Sequence, residues 1–484
     1  RKVQLKKVLL TGTDKKERFV ITRMPNGDTE VKIYSIKKDG ESLRHNKIYN
    51  RKVTKELWIY GLDDDDIFEV KGKPEKAIYI RLLGGQNHDN YIVENGKKIS
   101  IYDFKSKENT YQTDKNTKLL LTDDYELNTY DFEKPAYNVF AGYPLAGYNP
   151  DDGVKIGGMI NYTVNGFNRM PFSQKHSVTG TVFFATGGFE LTYRGLFMNL
   201  AHKWNFSLDA VYTSPNFSSN YFGYGNETVN NDRETSMDYN RVKVQMFSVA
   251  PSIFKTMRNG SYLQMQMQFE SISVEDSQGR FITEPGVVPS YIFDNRRYAG
   301  LSLKYKFENY DNSSLPALGM TFTAQGGWKS SLDEASINFP YLEGLLGFTH
   351  KITGDDKLVL STAFKSRILF NDKFEFYQAA TLGGDNDLRG YRRERFTGKQ
   401  SFLQTTDLRL TLGKLRNALL PIKYGIYMGY DYGRVWVEDD TSNKWHNSAG
   451  GGLWLNGVDS ITAKVSYFKG SDQGRIVFGL AFGF

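Results

Sequence analysis

The sequence predicts an all-β chain, a 16-stranded transmembrane antiparallel β-barrel preceded by a small β-rich, solenoid-like domain. Three observations carry that expectation. Residues 152–484 alternate large apolar with small or polar side chains at period two. Their strands recur at about 20 residues per strand-plus-turn, the rhythm of a transmembrane barrel. Tight turns such as "ATGGFE" and "RNGSY" alternate with long loops such as "YFGYGNETVNNDRETSMDYN".

Residues 1–130 form a separate segment, more charged and built of short β-type runs: "KKVLLTG", "TEVKIYS", "ELWIYGLDDDDIFEV", "AIYIRLLGGQNHDNYIV" and "KISIYDFKSKENTYQT". Each pairs a β-rich stretch with a Gly-, Asp- or Asn-containing turn. A repeat of about 20–24 residues indicates stacked β-layers rather than independent hairpins. The first ten residues carry no secretory signal pattern, as expected of a mature or trimmed form. Residues 131–151, rich in Pro and Gly, read as a linker. In the barrel region, Leu263, Met265, Met267 and Phe269 alternate with glutamines, and Leu301, Leu303, Tyr305 and Phe307 oppose Ser302, Lys304, Lys306 and Glu308. The last strand sets Ile476, Phe478, Leu480, Phe482 and Phe484 opposite Arg475, Val477, Gly479, Ala481 and Gly483.

Composition narrows the function classes. The 484 residues include no Cys, which excludes a disulfide scaffold and any thiolate metal site. The net charge of +7 comes from basic residues interspersed with acids, so no nucleic-acid stripe is present. A mean hydropathy of −0.50 with no long apolar run argues against a transmembrane helix, though not against a barrel, in which alternate residues meet lipid. The six histidines (45, 88, 176, 202, 350 and 446) are scattered, and no nucleophile–base–orienter set is legible, so no catalytic residues are assigned and the chain is expected not to be an enzyme.

The most informative stretch is "LGGDNDLRGYRRERFTG", residues 382–398. The strand after it turns Phe402, Leu408, Leu410 and Leu412 toward lipid and Asp407 and Arg409 into the lumen. The next strand, "IKYGIYMGYDYGRVW", puts Ile422, Tyr424, Ile426, Met428 and Tyr430 outside and Gly425, Gly429, Asp431 and Gly433 inside. Two carboxylates thus face the lumen beside a loop carrying Arg389, for which they are bidentate partners. Gly390 would allow a tight turn and Tyr391 would pack on the wall.

This stretch resembles the sixth loop, with its Arg-Gly-aromatic tip, of the BamA/TamA superfamily of outer-membrane barrels. "GYDYGRVW" resembles that family's Asp-x-Gly-x-Val-Trp strand motif, and Asp407 matches the acidic residue of the preceding strand. The resemblance implies residence in the bacterial outer membrane, insertion or translocation of protein clients, and a loop held inside the lumen by Arg389, Asp407 and Asp431. It also implies an assembly signal in Phe482 and Phe484. A weak seam is expected between "GVKIGGMINYTV", with Gly157 and Gly158, and the last strand, with Gly479 and Gly483. The N-terminal part departs from helix-containing periplasmic modules and looks like a Bacteroidota-type subgroup in which a calcineurin-like metallophosphatase precedes the barrel. That phosphoesterase, as a fused or associated domain, is absent from these residues. A passive pore or solute transporter is the alternative. "GLDDDDIFEV" and "LGGQNHDNY" faintly resemble calcium-binding β-roll turns, with Asp64, Asp65, Asp66 and Asp89 as the ligands. The same residues also read as a solvated acidic turn.

Overall fold

The computed structural model describes residues 6–133, 137–167, 171–201, 204–334, 336–415, 421–438, 440–457 and 461–482. They divide into two compact units, residues 1–139 with 164–173, and residues 140–163 with 174–484.

The first unit is a two-sheet parallel stack. One sheet orders Lys7–Thr11, Glu56–Leu62, Tyr79–Gly85, Ile99–Asp103 and Lys118–Leu121 side by side, all parallel. The other orders Thr110–Thr113, Asn90–Val93, Ile67–Lys71 and Glu17–Arg23 in parallel, then adds Thr29–Lys37 and Gly40–Tyr49 as antiparallel neighbours. Alternate residues of both sheets enclose the core, including Phe19, Ile21, Leu57, Ile59, Phe68, Ile80, Leu82 and Ile101. Corresponding positions stack from layer to layer: Phe19 on Phe68 at 4.7 Å, Phe68 on Tyr91 at 5.0 Å, and Tyr91 on Tyr111 at 5.4 Å. Such offset aromatic ladders add to area burial.

A polar ladder runs beside the aromatic one. The backbone N–H of Glu17 donates to Asp66 Oδ1 at 2.8 Å, that of Asp66 to Asp89 Oδ1 at 2.8 Å, and that of Asp89 to Asn109 Oδ1 at 2.7 Å. The four acids singled out in the sequence therefore cap turns. Asp64 accepts from the Lys16 N–H at 3.1 Å and Asp65 from the His88 N–H at 3.2 Å. No group of three or more His, Asp or Glu side chains converges on one point among the described residues. Burial first, then neighbouring carboxylates, pushes Asp66 up to about 9 and Asp89 up to about 8.

The second unit is a closed antiparallel barrel. Its sixteen full strands are Val139–Asn149, Gly153–Val164, Gln174–Phe183, Gly188–Ala201, Trp204–Thr213, Arg241–Thr256, Ser261–Val274, Arg296–Glu308, Gly319–Ser331, Asn338–Lys351, Leu358–Leu369, Gln400–Leu415, Ile422–Trp436, His446–Gly457, Ile461–Lys469 and Gly474–Phe482. Ile156, Ile160, Met267, Leu303, Met428, Leu453 and Ile476 are exposed on its outer face, as the alternation requires of residues that meet lipid.

One boundary differs from the sequence reading. The segment taken as a linker, 131–151, contains the first barrel strand, Val139–Asn149, so "GVKIGGMINYTV" is the second strand. The physical reason is Pro144, which lacks an N–H and is tolerated only where ladder pairing is interrupted. Here that place is the strand beside the seam. Gly157 and Gly158 consequently lie one strand away from the closure, which instead pairs Gly147 with Gly479 and Tyr148 with Phe478. Gly483 and Phe484 lie outside the described residues. Phe482 ends the last strand.

Because the folded unit keeps protons on Asp66 and Asp89 that the unfolded chain releases near the usual carboxylate value, its stability falls as pH rises from about 4 to about 8. A double D66N/D89N variant keeps the accepting oxygens. Its denaturant midpoint, followed by amide hydrogen exchange of the buried strand Glu56–Leu62, should change less over that interval than that of the parent chain.

Candidate functional site

The connection between Leu358–Leu369 and Gln400–Leu415 folds back on itself. A short hairpin, Ala380–Leu382 with Phe396–Gly398, closes its neck. Leu382, Leu388, Tyr391 and Phe396 pack with Leu403 and Val435 of the wall in one apolar cluster. The tip between them is thereby packed against the wall and delivers Arg389 to two strands.

Arg389 meets Asp431 through three donors. Its backbone N–H donates to Oδ2 at 3.0 Å, its Nε–H reaches Oδ2 at 3.0 Å, and its Nη2–H reaches Oδ1 at 2.5 Å. Nη2 also pairs with Asp407 Oδ1 at 2.8 Å. The Ser448 hydroxyl donates to Asp431 Oδ2 at 2.7 Å, and the guanidinium lies 4.0 Å from the Phe468 ring centre. The two acids are unequal. Asp431 is 0% exposed and Asp407 31%, so the first is a buried, multiply bonded partner and the second a solvated one.

Two glycines make room for this contact. Gly429, paired in register with Asp407, leaves space in which a Cβ would stand 2.4 Å from Asp407 Oδ1 and 2.6 Å from Arg389 Nη2. Gly390 is required by close approach rather than by a turn, because a Cβ there would meet the Gly470 nitrogen at 2.4 Å. Tyr391 is buried and donates its hydroxyl to the Asn447 carbonyl at 3.1 Å, bracing the tip against the wall.

A second set of charges, unread in the sequence, anchors the next residues of the loop. Arg392, 0% exposed, donates from Nε to Asp151 Oδ1 at 2.8 Å, from Nη1 to Asp232 Oδ1 at 2.6 Å, and from Nη2 to Asn220 Oδ1 at 2.6 Å. Arg475, at the start of the last strand, donates from Nη2 to Asp151 Oδ2 at 2.6 Å and from Nη1 to the Tyr391 carbonyl. Asp151 sits in the turn joining the first two barrel strands. It therefore clasps the loop and both sides of the seam at one rim. Burial would raise its carboxyl, but Arg475 and Arg392 outweigh that and hold it below the usual value. Arg393 reaches Asp152 at 2.7 Å and Arg395 reaches Asp472 at 2.6 Å. The available sequence signal was the pairing of "NPDD" with "RRER", two runs of opposite charge 241 residues apart.

No protein-family model and no curated protein matches the sequence. Among solved structures, BamA from Haemophilus ducreyi lacking POTRA domains 1–3 matches over 71% of this chain and 70% of its own, at 12% identity and a TM-score of 0.50. The fold is that of a BamA-type outer-membrane barrel. CdiB from Escherichia coli matches over 77% of this chain and 66% of its own, at 10% identity and a TM-score of 0.49. CdiB from Acinetobacter baumannii covers 72% and 60%, at 11% identity and 0.46. A closed barrel with an apolar outer band resides in the bacterial outer membrane, and its outer-face residues are in contact with lipid.

Removing either partner of the buried pair should be costly and removing the solvated one should not. Asp431→Ala is expected to destabilise the folded barrel by about 3–5 kcal/mol, against at most about 1 kcal/mol for Asp407→Ala. The heat-modifiable gel mobility of the two variants measures the difference. Gly429→Val should mimic loss of the arginine by expelling the guanidinium. Acidification should loosen the Asp151 clasp only below the usual carboxylate range, since a depressed carboxyl loses its contribution as pH falls through its folded value. Protease access to residues 383–395 against pH would record it.

Proposed function

We propose that this barrel inserts, translocates or displays protein at the outer membrane, with residues 370–399 as a lid held in the lumen and the seam as the opening. The chain takes no catalytic part in this reading. One observation carries it. Among the described residues, the first and last strands share only the pairs Gly147–Gly479 and Tyr148–Phe478, whereas the last two strands share nine. Each lost ladder pair removes hydrogen bonds that hold the wall shut, so the closure is the weakest line on the cylinder. The BamA fold supports the same assignment. A phosphoesterase domain carried ahead of these residues, which the sequence resemblance implies, would be one such client.

The absence of Cys permits a direct test. A G147C/G479C pair faces each other across the seam; a Cβ at Gly479 has no atom within 4 Å, and one at Gly147 has only the flexible Lys155 side chain closer than 3 Å, at 2.7 Å. Reconstituted in proteoliposomes with a urea-unfolded eight-stranded barrel as client, the oxidised variant should lose insertion activity at least tenfold and regain it on reduction. Equal activity in both redox states would overturn the seam mechanism. Planar-bilayer recording separates the pore alternative. The parent chain should conduct weakly and erratically, and Arg389→Ala should raise its conductance. A large, steady conductance indifferent to that substitution would favour a passive channel.

A further inference from the structure

The rim that bears the long loops holds a cavity away from the seam, built in part from the base of the lid, where Asp372, Phe374, Glu375, Phe376 and Lys399 line it. Its volume is about 380 Å³, within the range of small-molecule sites. Tyr224, Tyr291, Phe374, Phe376 and Val288 line it, and Glu375 contributes a carboxylate to the same wall. The aromatic arrangement is firm on one side. Tyr224 meets Phe374 edge-on at 6.1 Å and Tyr221 at 5.7 Å, and Tyr221 packs on Phe376 at 4.8 Å above a buried apolar cluster. Tyr224 and Tyr291 remain exposed at the mouth.

Glu375 is the unusual member. The residue is 5% exposed, and its Oε1 has no hydrogen-bond partner. Its side chain caps the short 3₁₀ turn Phe376–Gln378 by accepting from the Gln378 N–H. Arg296 lies 4.5 Å over the opposite Tyr291 ring, and both its charge and the Tyr291 hydroxyl act on Glu375. A buried carboxylate that has no close ion-pair partner and lies behind a wall of aromatic faces attracts a positive charge and an apolar body together, since ring faces bind cations most strongly when water is excluded. An anion would meet the carboxylate, and a neutral apolar molecule would leave it unmatched.

We propose that this cavity binds a small organic ammonium ion, a quaternary or substituted amine with an apolar substituent, from the exterior medium. The ammonium would lie over the Tyr224 and Phe374 rings with Glu375 as its counter-charge.

Benzyltrimethylammonium is the probe, titrated calorimetrically into the full chain in detergent micelles, with its uncharged carbon isostere as control. Binding should be saturable, should weaken at least tenfold in Glu375→Gln, and should be absent for the isostere. Glutamine preserves the accepting oxygen of the 3₁₀ cap, so the variant should fold, and unchanged heat-modifiable gel mobility verifies this. Tyr224→Leu, which keeps apolar bulk and removes the ring, should weaken binding independently. No saturable binding to the parent chain, equal affinity in Glu375→Gln, or equal binding of the isostere would each overturn the assignment.

Discussion

The organisation of the barrel depends on one ion pair, Arg389 with Asp431. A cylinder of sixteen strands encloses more space than its own inward side chains can fill, which leaves a lumen open to water unless another segment enters it. Here the occupant is a loop, and a loop entering a wall-lined space needs an interaction strong enough to offset its lost conformational freedom. A fully buried carboxylate that accepts from a backbone N–H, a guanidinium and a hydroxyl meets that need. Register and glycine placement are subordinate to it. Gly429 has to be small because the guanidinium passes through the space a side chain would take.

Around that contact the loop distributes its remaining cations so that each has an acid of its own. Arg392 pairs with Asp151, Arg393 with Asp152 and Arg395 with Asp472. Those acids belong to the first and last hairpins of the barrel, the two elements flanking the seam. Buried charges are retained only when paired, so the loop cannot leave its place without exposing several of them at once. The loop and the seam meet at Asp151, which holds Arg392 of one and Arg475 of the other. Among the described residues, the strand ladder is short where this electrostatic clasp is dense.

The N-terminal unit solves a different problem with the same economy of repeats. Aromatic residues 19, 68, 91 and 111 stack through its core, and carboxylate or amide oxygens at 66, 89 and 109 cap successive turns. The acids that look like cation ligands in isolation are engaged by backbone N–H groups of adjacent layers. Each layer supplies the cap for the one before it, which is why the acidic turns recur at the repeat spacing.

Period-two alternation and strand spacing sufficed by themselves to specify an all-β barrel with Asp407 and Asp431 facing its lumen, whereas the arginine between them was an expectation from the family resemblance. Those features are local: which face a residue occupies follows from its parity along one strand, and parity is visible in the text of the chain. The first strand was hidden because Pro144 and its glycines look like a linker until the seam shows why they are tolerated. The Asp151 clasp and the Glu375 cavity were invisible for a related reason. Their members lie far apart in the chain, and only closure of the cylinder brings residues 151, 392 and 475, or 224, 291 and 375, within reach of one another.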